Sequence, residues 1–222
     1  MQVGVKAVFL SLGLTVLGCV PQRPGPQIAS LQPSDHEVAT DAVYALEGSC
    51  QELLQARGAT FEMTEAFHTD GGCGMDEPVM LRTGIAELGP DAELECAMAL
   101  KWLDFDQRVI QPLALEHFEQ PIAYIHQLSG YSCRTSTGNR RKLSQHSFGL
   151  ALDVEGFELP DGRQISVQDT YFADSEEGEF LRAVAERACG FFGTVLTPNS
   201  DAHHSNHFHL DLDLRESSFC SL

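Results

Sequence analysis

The segment from His207 to Leu214, HFHLDLDL, constrains the fold most, because imidazole or carboxylate side chains alternate along it with apolar ones. Successive side chains of an extended strand point to opposite faces of its sheet. The alternation predicts a strand with one face in an apolar core, which a chain that is 43% apolar can build. The other face then carries four polar groups, His207, His209, Asp211 and Asp213.

Two interpretations of this polar face remain open from the strand alone. A half-exposed antiparallel strand that turns polar side chains to water accounts for the pattern without any function. A metal site is the alternative, since histidines two residues apart on a strand can converge on one ion. One of them can also bind the ion while the other carries out proton chemistry.

A second segment, LSQHSFGLALDVEGF at 143–157, favours the metal site. Asp153 lies among apolar residues of a predicted strand, and burying a carboxylate without a cation or a hydrogen-bond donor is costly. A zinc ion bound by His146, Asp153 and His209 would supply the cation. Two nitrogens and one oxygen leave a fourth position open, which is typical of a catalytic zinc site.

The first 18 residues have the pattern of an export signal. Lys6 precedes an apolar run at 7–17, which has the length of a signal-peptide core and is short for a membrane span. The run ends in VLGC at 16–19, which resembles the lipobox of bacterial lipoproteins. We therefore predict a signal peptide at 1–18 and lipidation of Cys19, with a plain secretory signal cleaved nearby as the alternative.

Export places the protein in the cell envelope, facing the periplasm or the exterior. Residues 19–40 are rich in proline and predict a flexible tether to a lipid anchor, followed by one domain at 41–222. The domain is predicted to be α+β, with a small antiparallel sheet that carries the site on one face and helices on the other. Helices are predicted at 41–58, 91–118 and 174–192, with a kink or an end at Pro112. Strands are predicted at 59–67, 121–128, 150–157, 193–198 and 207–214, with a hairpin at 160–167 and loops at 70–78 and 129–146.

The remaining cysteines predict disulfides. Their even number suits an oxidising compartment, and no CxxC pair indicates a cysteine-based metal site. Six cysteines predict three bridges, for which 15 pairings are possible on the rule for counting connectivities. The six candidates are Cys50, Cys73, Cys96, Cys133, Cys189 and Cys220.

Charge and missing motifs exclude several function classes. The chain has 14 basic and 32 acidic residues and a formal charge of −18, so its surface repels nucleic acid and anionic lipid headgroups. No GxSxG or HExxH sequence is present, which argues against the common serine hydrolases and zincins. HFHLDL begins like the HxHxDH motif of metallo-β-lactamase folds, but Leu212 stands where the last histidine would be.

The two metal-site segments resemble a known group of enzymes. SQHSFGLALD at 144–153 resembles the SxHxxGxAxD motif of zinc peptidases related to D-alanyl-D-alanine dipeptidases, lysostaphin and the hedgehog domain, and HFH matches their closing HxH. The whole domain resembles the bacterial extensin-like C-terminal family. It departs from that family at 150–152, where the family usually has a smaller and more polar step, and the departure leaves the proposed ligands untouched. The matching stretches lie at 71–74, 94–103, 130–134, 143–157, 179–198, 203–212 and 219–220.

The resemblance implies a zinc peptidase that acts on peptidoglycan. It implies zinc at His146, Asp153 and His209, with His207 beside the metal as general base or as stabiliser of the tetrahedral intermediate. Arg134 matches an arginine that lies near the substrate in related peptidases, and a surface arginine is the alternative. A wall-binding or structural lipoprotein that holds zinc without turnover is the competing hypothesis.

Neighbouring residues have predicted supporting roles. Ser144 is expected to orient the turn that carries His146, and Asp211 to accept a hydrogen bond from a ligand histidine. Cys133 is expected to anchor the loop of Arg134, and His203 and His204 to be solvated. The expected partners are peptidoglycan and a membrane reached through the lipid anchor, with no nucleic acid and a monomeric chain.

Overall fold

The structure, a computed structural model, describes Met1, residues 48–213 and residues 218–222. Residues 2–18 of the predicted signal peptide, the tether with Cys19, and residues 41–47 of the helix predicted at 41–58 lie outside these residues. Among the helices of the described ranges, none has the length and apolar character needed to span a bilayer.

Strands make up much of the described chain. They are β1 (Thr60–Met63), β2 (Phe67–His68), β3 (Gly74–Met75), β4 (Pro78–Thr83), β5 (Glu87–Glu95), β6 (Tyr124–Ser129), β7 (Thr135–Ser136), β8 (Asn139–Leu143), β9 (Ala151–Glu158), β10 (Gln164–Ser166), β11 (Thr194–Leu196), β12 (Phe208–Asp211) and β13 (Phe219–Ser221). The α-helices are α1 (Cys50–Ala56), α2 (Cys96–Phe105), α3 (Gln111–Phe118), α4 (Val167–Thr170) and α5 (Glu176–Ala188). A π-helical turn lies at Asp106–Ile110, and 3₁₀ turns lie at Gln145–Phe148 and Ala202–His204.

The main sheet confirms the α+β prediction and is larger than the small antiparallel sheet expected. Its strand order is β1-β4-β5-β6-β9-β12-β11-β13, and β10 adds a ninth strand by pairing with β9. The β5–β6 and β11–β13 pairs are parallel, and the other pairs are antiparallel. Strand β5 reaches its parallel neighbour β6 through the helical segment that runs from α2 to α3, since parallel strands need a crossover connection.

The apolar core separates the helices from the site. Leu152, Val154 and Leu210, from β9 and β12, are buried in one cluster with Trp102 of α2 and Phe180 of α5. Side chains between these positions point to the opposite face of the sheet, because the period of a strand is two residues. The sheet therefore has helices on one face and the candidate site on the other, as predicted.

Several local predictions are confirmed. Gly58 follows α1 with φ of 71°, and Asp161-Gly162 forms the turn between β9 and β10, where Gly162 has φ of 87°. Ser175 caps α5 by accepting a hydrogen bond from the Gly178 N–H. Strands β6 and β9 form at the segments predicted at 121–128 and 150–157, and β6 begins three residues later than expected.

The helix predicted at 91–118 starts later than expected. Residues 91–95 belong to β5, where buried Ala92 and Leu94 alternate with charged neighbours, so the period is two. Helix α2 then continues through the π-helical turn into α3, and Pro112 lies at the start of α3. The wider π turn accommodates the proline, whose ring clashes with a regular preceding turn.

Three other predictions are wrong in detail. The loop predicted at 129–146 contains the β7–β8 hairpin and a 3₁₀ turn. Strand β12 is shorter than 207–214, so His207 precedes the strand and Asp213 follows it. The loop predicted at 70–78 contains β3 and the first residue of β4, and the rest of β4 has no counterpart among the predicted elements.

Three disulfides confirm the expected number. They join Cys50 to Cys96, Cys73 to Cys133 and Cys189 to Cys220, with Cα–Cα distances of 6.1, 5.7 and 5.9 Å. These spans are ordinary for disulfides. The second bridge ties the segment between β6 and β7 to the β2–β3 hairpin.

Candidate metal centre

His146 is held by the 3₁₀ turn at Gln145–Phe148. Ser144 begins the turn, and its Oγ accepts a hydrogen bond of 3.4 Å from the His146 N–H. Gly149 ends the turn with φ of 63°, and a Cβ there would lie 2.6 Å from the Glu95 backbone nitrogen. The position therefore needs glycine. The turn leaves His146 fully buried.

The imidazole of His146 has one nitrogen directed at the other candidate ligands. Its Nδ1–H donates to the Gly130 carbonyl at 2.6 Å, so the lone pair lies on Nε2. Nε2 is 3.2 Å from Oδ2 of Asp153 and 3.1 Å from Nδ1 of His209. The hydrogen bond to Gly130 thus fixes both the tautomer and the ring orientation suited to a metal ligand.

Asp153 and His209 are brought together by strand register. They are direct partners in the antiparallel β9–β12 pair, and Nδ1 of His209 lies 2.8 Å from Oδ1 of Asp153. The other ring nitrogen, Nε2, donates to Oδ2 of Asp211 at 3.0 Å. Oδ1 of Asp211 accepts the backbone N–H of Asp213 at 2.8 Å. Asp211 therefore fixes the orientation of His209 from the side away from the cluster.

The three residues form a group of donor atoms that could hold a metal ion. One ligand atom from each of His146, Asp153 and His209 lies within 4.8 Å of the others, and all three residues are buried. Ligands 2.0–2.1 Å from a tetrahedral zinc are about 3.3 Å apart, slightly more than the separations in this cluster. Because electron-rich atoms converge here, the arrangement requires a cation, either protons or a metal, between them.

The pKa values show how strongly the cluster attracts positive charge. Burial would raise the pKa of Asp153, but hydrogen bonds with His146 and His209 outweigh it and hold that pKa well below its ordinary value. Burial likewise opposes the charged form of His209. Its hydrogen bonds with Asp153 and Asp211 prevail and raise the pKa of His209 to about 9.

His207 and Arg134 lie at the rim of the cluster. Nδ1 of His207 donates to the side-chain oxygen of Asn206 at 2.9 Å, and Nε2 lies 3.7 Å from Oδ1 of Asp153. The guanidinium of Arg134 lies 3.9 Å from Oδ2 of the same carboxylate, and its side chain is 40% exposed. Burial lowers the pKa of His207, with the Asp153 charge opposing that shift. The two side chains thus approach different oxygens of Asp153.

Ser147, which sequence reasoning missed, fixes the backbone of Arg134. Its Oγ accepts the Arg134 N–H at 3.0 Å and donates to the Arg134 carbonyl at 2.7 Å. The bridge from Cys133 to Cys73 holds the adjacent residue. Both links attach the arginine segment to the turn and hairpin that frame His146.

His204 was also missed. Its side chain is 12% exposed and its ring centroid lies 5.3 Å from that of His207, so the expectation that it is solvated is wrong. Nδ1 of His204 donates to Asp201 at 2.9 Å. His203 is exposed, as expected. The spacing of His204 and His207, three residues apart around a turn, was the signal that could have identified the neighbour.

The predicted site residues of the domain therefore lie together, with His146, Asp153 and His209 at the centre. The predicted lipidation site, Cys19, is outside the described residues. Comparison with known protein families finds a match to the Extensin-like protein C-terminus model over residues 48–221, more than three quarters of the chain. No curated protein and no solved structure matches the chain. The chain belongs to the family described as Extensin-like protein C-terminus.

Proposed function

We propose that this protein is a zinc-dependent peptidase that cleaves the peptide stems or cross-links of cell-wall peptidoglycan. The observation that carries the proposal is the buried cluster of His146, Asp153 and His209, flanked by an imidazole and a guanidinium. The proposal includes a relationship to the D-alanyl-D-alanine dipeptidase and hedgehog group, on the basis of the SxHxxGxAxD and HxH sequences.

The donor set fits zinc. Two imidazole nitrogens and one carboxylate oxygen are the protein ligands of many catalytic zinc sites, which leave the fourth position to water or substrate. When bound, zinc supplies a Lewis acid for a peptide carbonyl and lowers the pKa of water to about 7. The Gly130 carbonyl accepts from Nδ1 of His146, and Asp211 accepts from Nε2 of His209. In zinc sites, such hydrogen bonds from the non-ligating ring nitrogen orient the ligand histidines.

His207 is the candidate proton carrier. Its Nδ1–H is committed to Asn206, so the Nε2 lone pair faces the cluster and can accept a proton from a nucleophilic water. The protonated ring can then donate to the leaving amine. His204, oriented by Asp201, packs beside this ring and provides a second imidazole near the developing charge.

Arg134 is the candidate substrate anchor. Its guanidinium is partly exposed beside the cluster, while its backbone is fixed by Ser147. A guanidinium binds a carboxylate through two parallel hydrogen bonds, and peptidoglycan stems carry free carboxylates. Arg134 would therefore position the stem relative to His207.

The proposed setting is the cell envelope, with Cys19 as a lipid anchor. Three disulfides in the domain support an oxidising compartment. Metabolic labelling with a palmitate analogue tests the anchor. Label that is present on the full-length chain and lost in Cys19→Ser supports lipidation, and label that persists in that variant contradicts it.

Purified sacculi test the proposed activity. The protein is chelated, dialysed, and assayed with and without one equivalent of zinc, and the released muropeptides are separated by liquid chromatography. We expect new muropeptides only with zinc. Stoichiometric zinc binding without any new muropeptide would reject the peptidase and favour a wall-binding lipoprotein.

A further inference from the structure

A groove lies beside Asn206, the residue next to His207 in the chain. Its cavity volume is about 170 Å³, and its walls include Gln164, Ser166 and Gln168. Glu155 of β9 and Asn206 also line it, and Asn206 is the residue that holds the His207 ring. The groove is therefore lined by the residue that orients the proposed proton carrier, His207.

The size of the groove suits one side chain. Sites that enclose a whole small molecule measure about 300–1,000 Å³, well above this volume. The groove walls are mostly polar, because they carry the amide side chains of Gln164, Gln168 and Asn206, the hydroxyl of Ser166 and the imidazole of His126, beside the apolar Ile165. Such walls favour a polar or charged occupant over an apolar one.

Glu155 gives the groove its charge. It is the extra residue of a β-bulge in β9, between Val154 and Gly156, which pair with Gln127 and His126 of β6. Within residues 48–213 and 218–222, its carboxylate has no hydrogen bond or ion pair. A partly buried carboxylate without a partner is ready to accept a charge-assisted hydrogen bond from a cation.

The opposite end of the site is cationic. Arg134 lies beside Asp153, and the exposed residues Arg140, Arg141 and Lys142 follow on the β8 strand. The Lys142 ammonium is 3.4 Å from Asp213, just past the end of β12. Positive charge therefore lies on the Arg134 side of the cluster, and the carboxylates of Glu155 and Glu158 lie at the groove, where Glu158 is already paired with Gln164 and His126.

We propose that this groove is the subsite for a substrate side chain that carries a free ammonium group, and that Glu155 recognises it. The inference rests on the proposed peptidase function and names its substrate class. The substrate is a peptide with a carboxylate on the Arg134 side of the cleaved bond and a diamino acid on the Glu155 side. An amine in the groove would donate to Glu155 and to the amide oxygens of the walls.

Muropeptides that differ only in this amine test the inference. A muramidase releases soluble muropeptides in which the diamino acid is not cross-linked. Half of this sample is treated with acetic anhydride, which acetylates the free side-chain amine of the diamino acid. We expect the zinc-loaded protein to cleave the free-amine form with a kcat/KM about tenfold higher or more, the range of one charge-assisted hydrogen bond. Glu155→Gln should reduce this preference to less than about twofold, and Glu155→Lys should reverse it.

Two controls separate the subsite from the chemistry. Glu116→Gln, an exposed carboxylate on α3, should keep the full preference. Calorimetry measures the same preference without turnover. Both muropeptides are titrated into the zinc-loaded His207→Ala variant and into the double variant that also carries Glu155→Gln. If the protein binds the free-amine muropeptide more tightly but the wild type cleaves neither form, the peptidase proposal is rejected and the subsite proposal stands. Three results would overturn the subsite proposal. The protein cleaves both muropeptides equally well, or Glu155→Gln keeps the preference for the free amine, or neither muropeptide binds.

Discussion

Replacing His146 with alanine is expected to abolish release of muropeptides and to weaken zinc binding by more than about 100-fold. That factor is the upper range for loss of a hydrogen-bond partner to a ligand, and loss of the ligand itself should exceed it. His146 supplies Nε2, which lies 3.2 Å from Asp153 and 3.1 Å from His209. Without it, the two remaining donors cannot complete a three-ligand site.

Calorimetric zinc titration and the sacculus assay measure both effects. Because His146 is fully buried, alanine also leaves a void and an unpaired Gly130 carbonyl, so folding is checked by thermal unfolding. Asp153→Asn keeps the side-chain volume and is expected to give the same two losses. His203→Ala, at an exposed histidine, should behave as wild type. Undiminished cleavage by either ligand variant would reject the metallopeptidase.

Replacing His207 with alanine is expected to lower kcat by about 10²–10⁴-fold, the usual contribution of a positioned acid or base. Zinc affinity should change little, because Nε2 of His207 is 3.7 Å from Asp153 and outside the cluster of three donors. KM should also stay near the wild-type value, since the anchor at Arg134 remains. The variant therefore separates metal binding from turnover.

Steady-state kinetics on purified muropeptides, together with the zinc content of the same sample, distinguish this role from a ligand role. His204→Ala provides the comparison, because His204 packs against His207 and pairs with Asp201 rather than with Asp153. We expect its loss of kcat to be smaller. A His207 variant that loses zinc in proportion to activity would make His207 a ligand, and one that retains full kcat would remove it from the chemistry.

Sequence periodicity predicted the faces of the site strands correctly. In β9 and β12 the residues that alternate with Asp153 and His209 are buried in the core, and a period of two can be read directly from the chain. The period of two does not identify the strand at 91–95, because this short alternating run directly precedes a helix and is predicted as part of that helix. A strand segment of five residues next to a helix is too short to distinguish the strand period of two residues from the helix period of about 3.6.

The assembly of the site depends on contacts that the sequence alone does not specify. Asp153 and His209 meet because β9 pairs with β12 in one particular register across a separation of 56 residues. Arg134 is held near them by the bridge between Cys73 and Cys133, one of many possible pairings. His204 lies in a 3₁₀ turn that is too short to show a periodicity, so its spacing of three residues from His207 is the sequence signal for this contact.

The groove also combines segments that are separated in the sequence. Glu155 comes from β9, Gln164 and Ser166 from β10, and Asn206 from the turn before β12. None of these residues stands out in the sequence, because glutamate, glutamine and asparagine are common on solvated surfaces. The pairing of β9 with β10 and the course of the turn before β12 bring them together.

The central claim is that His146, Asp153 and His209 together bind one catalytic zinc ion. Anomalous diffraction at the zinc edge, from crystals of the domain grown with one equivalent of zinc, tests it most directly. We predict one anomalous peak bounded by Nε2 of His146, a carboxylate oxygen of Asp153 and Nδ1 of His209, with its remaining side toward His207 and Arg134. A peak at other residues, or none at this cluster with zinc present in the crystal, would contradict the claim.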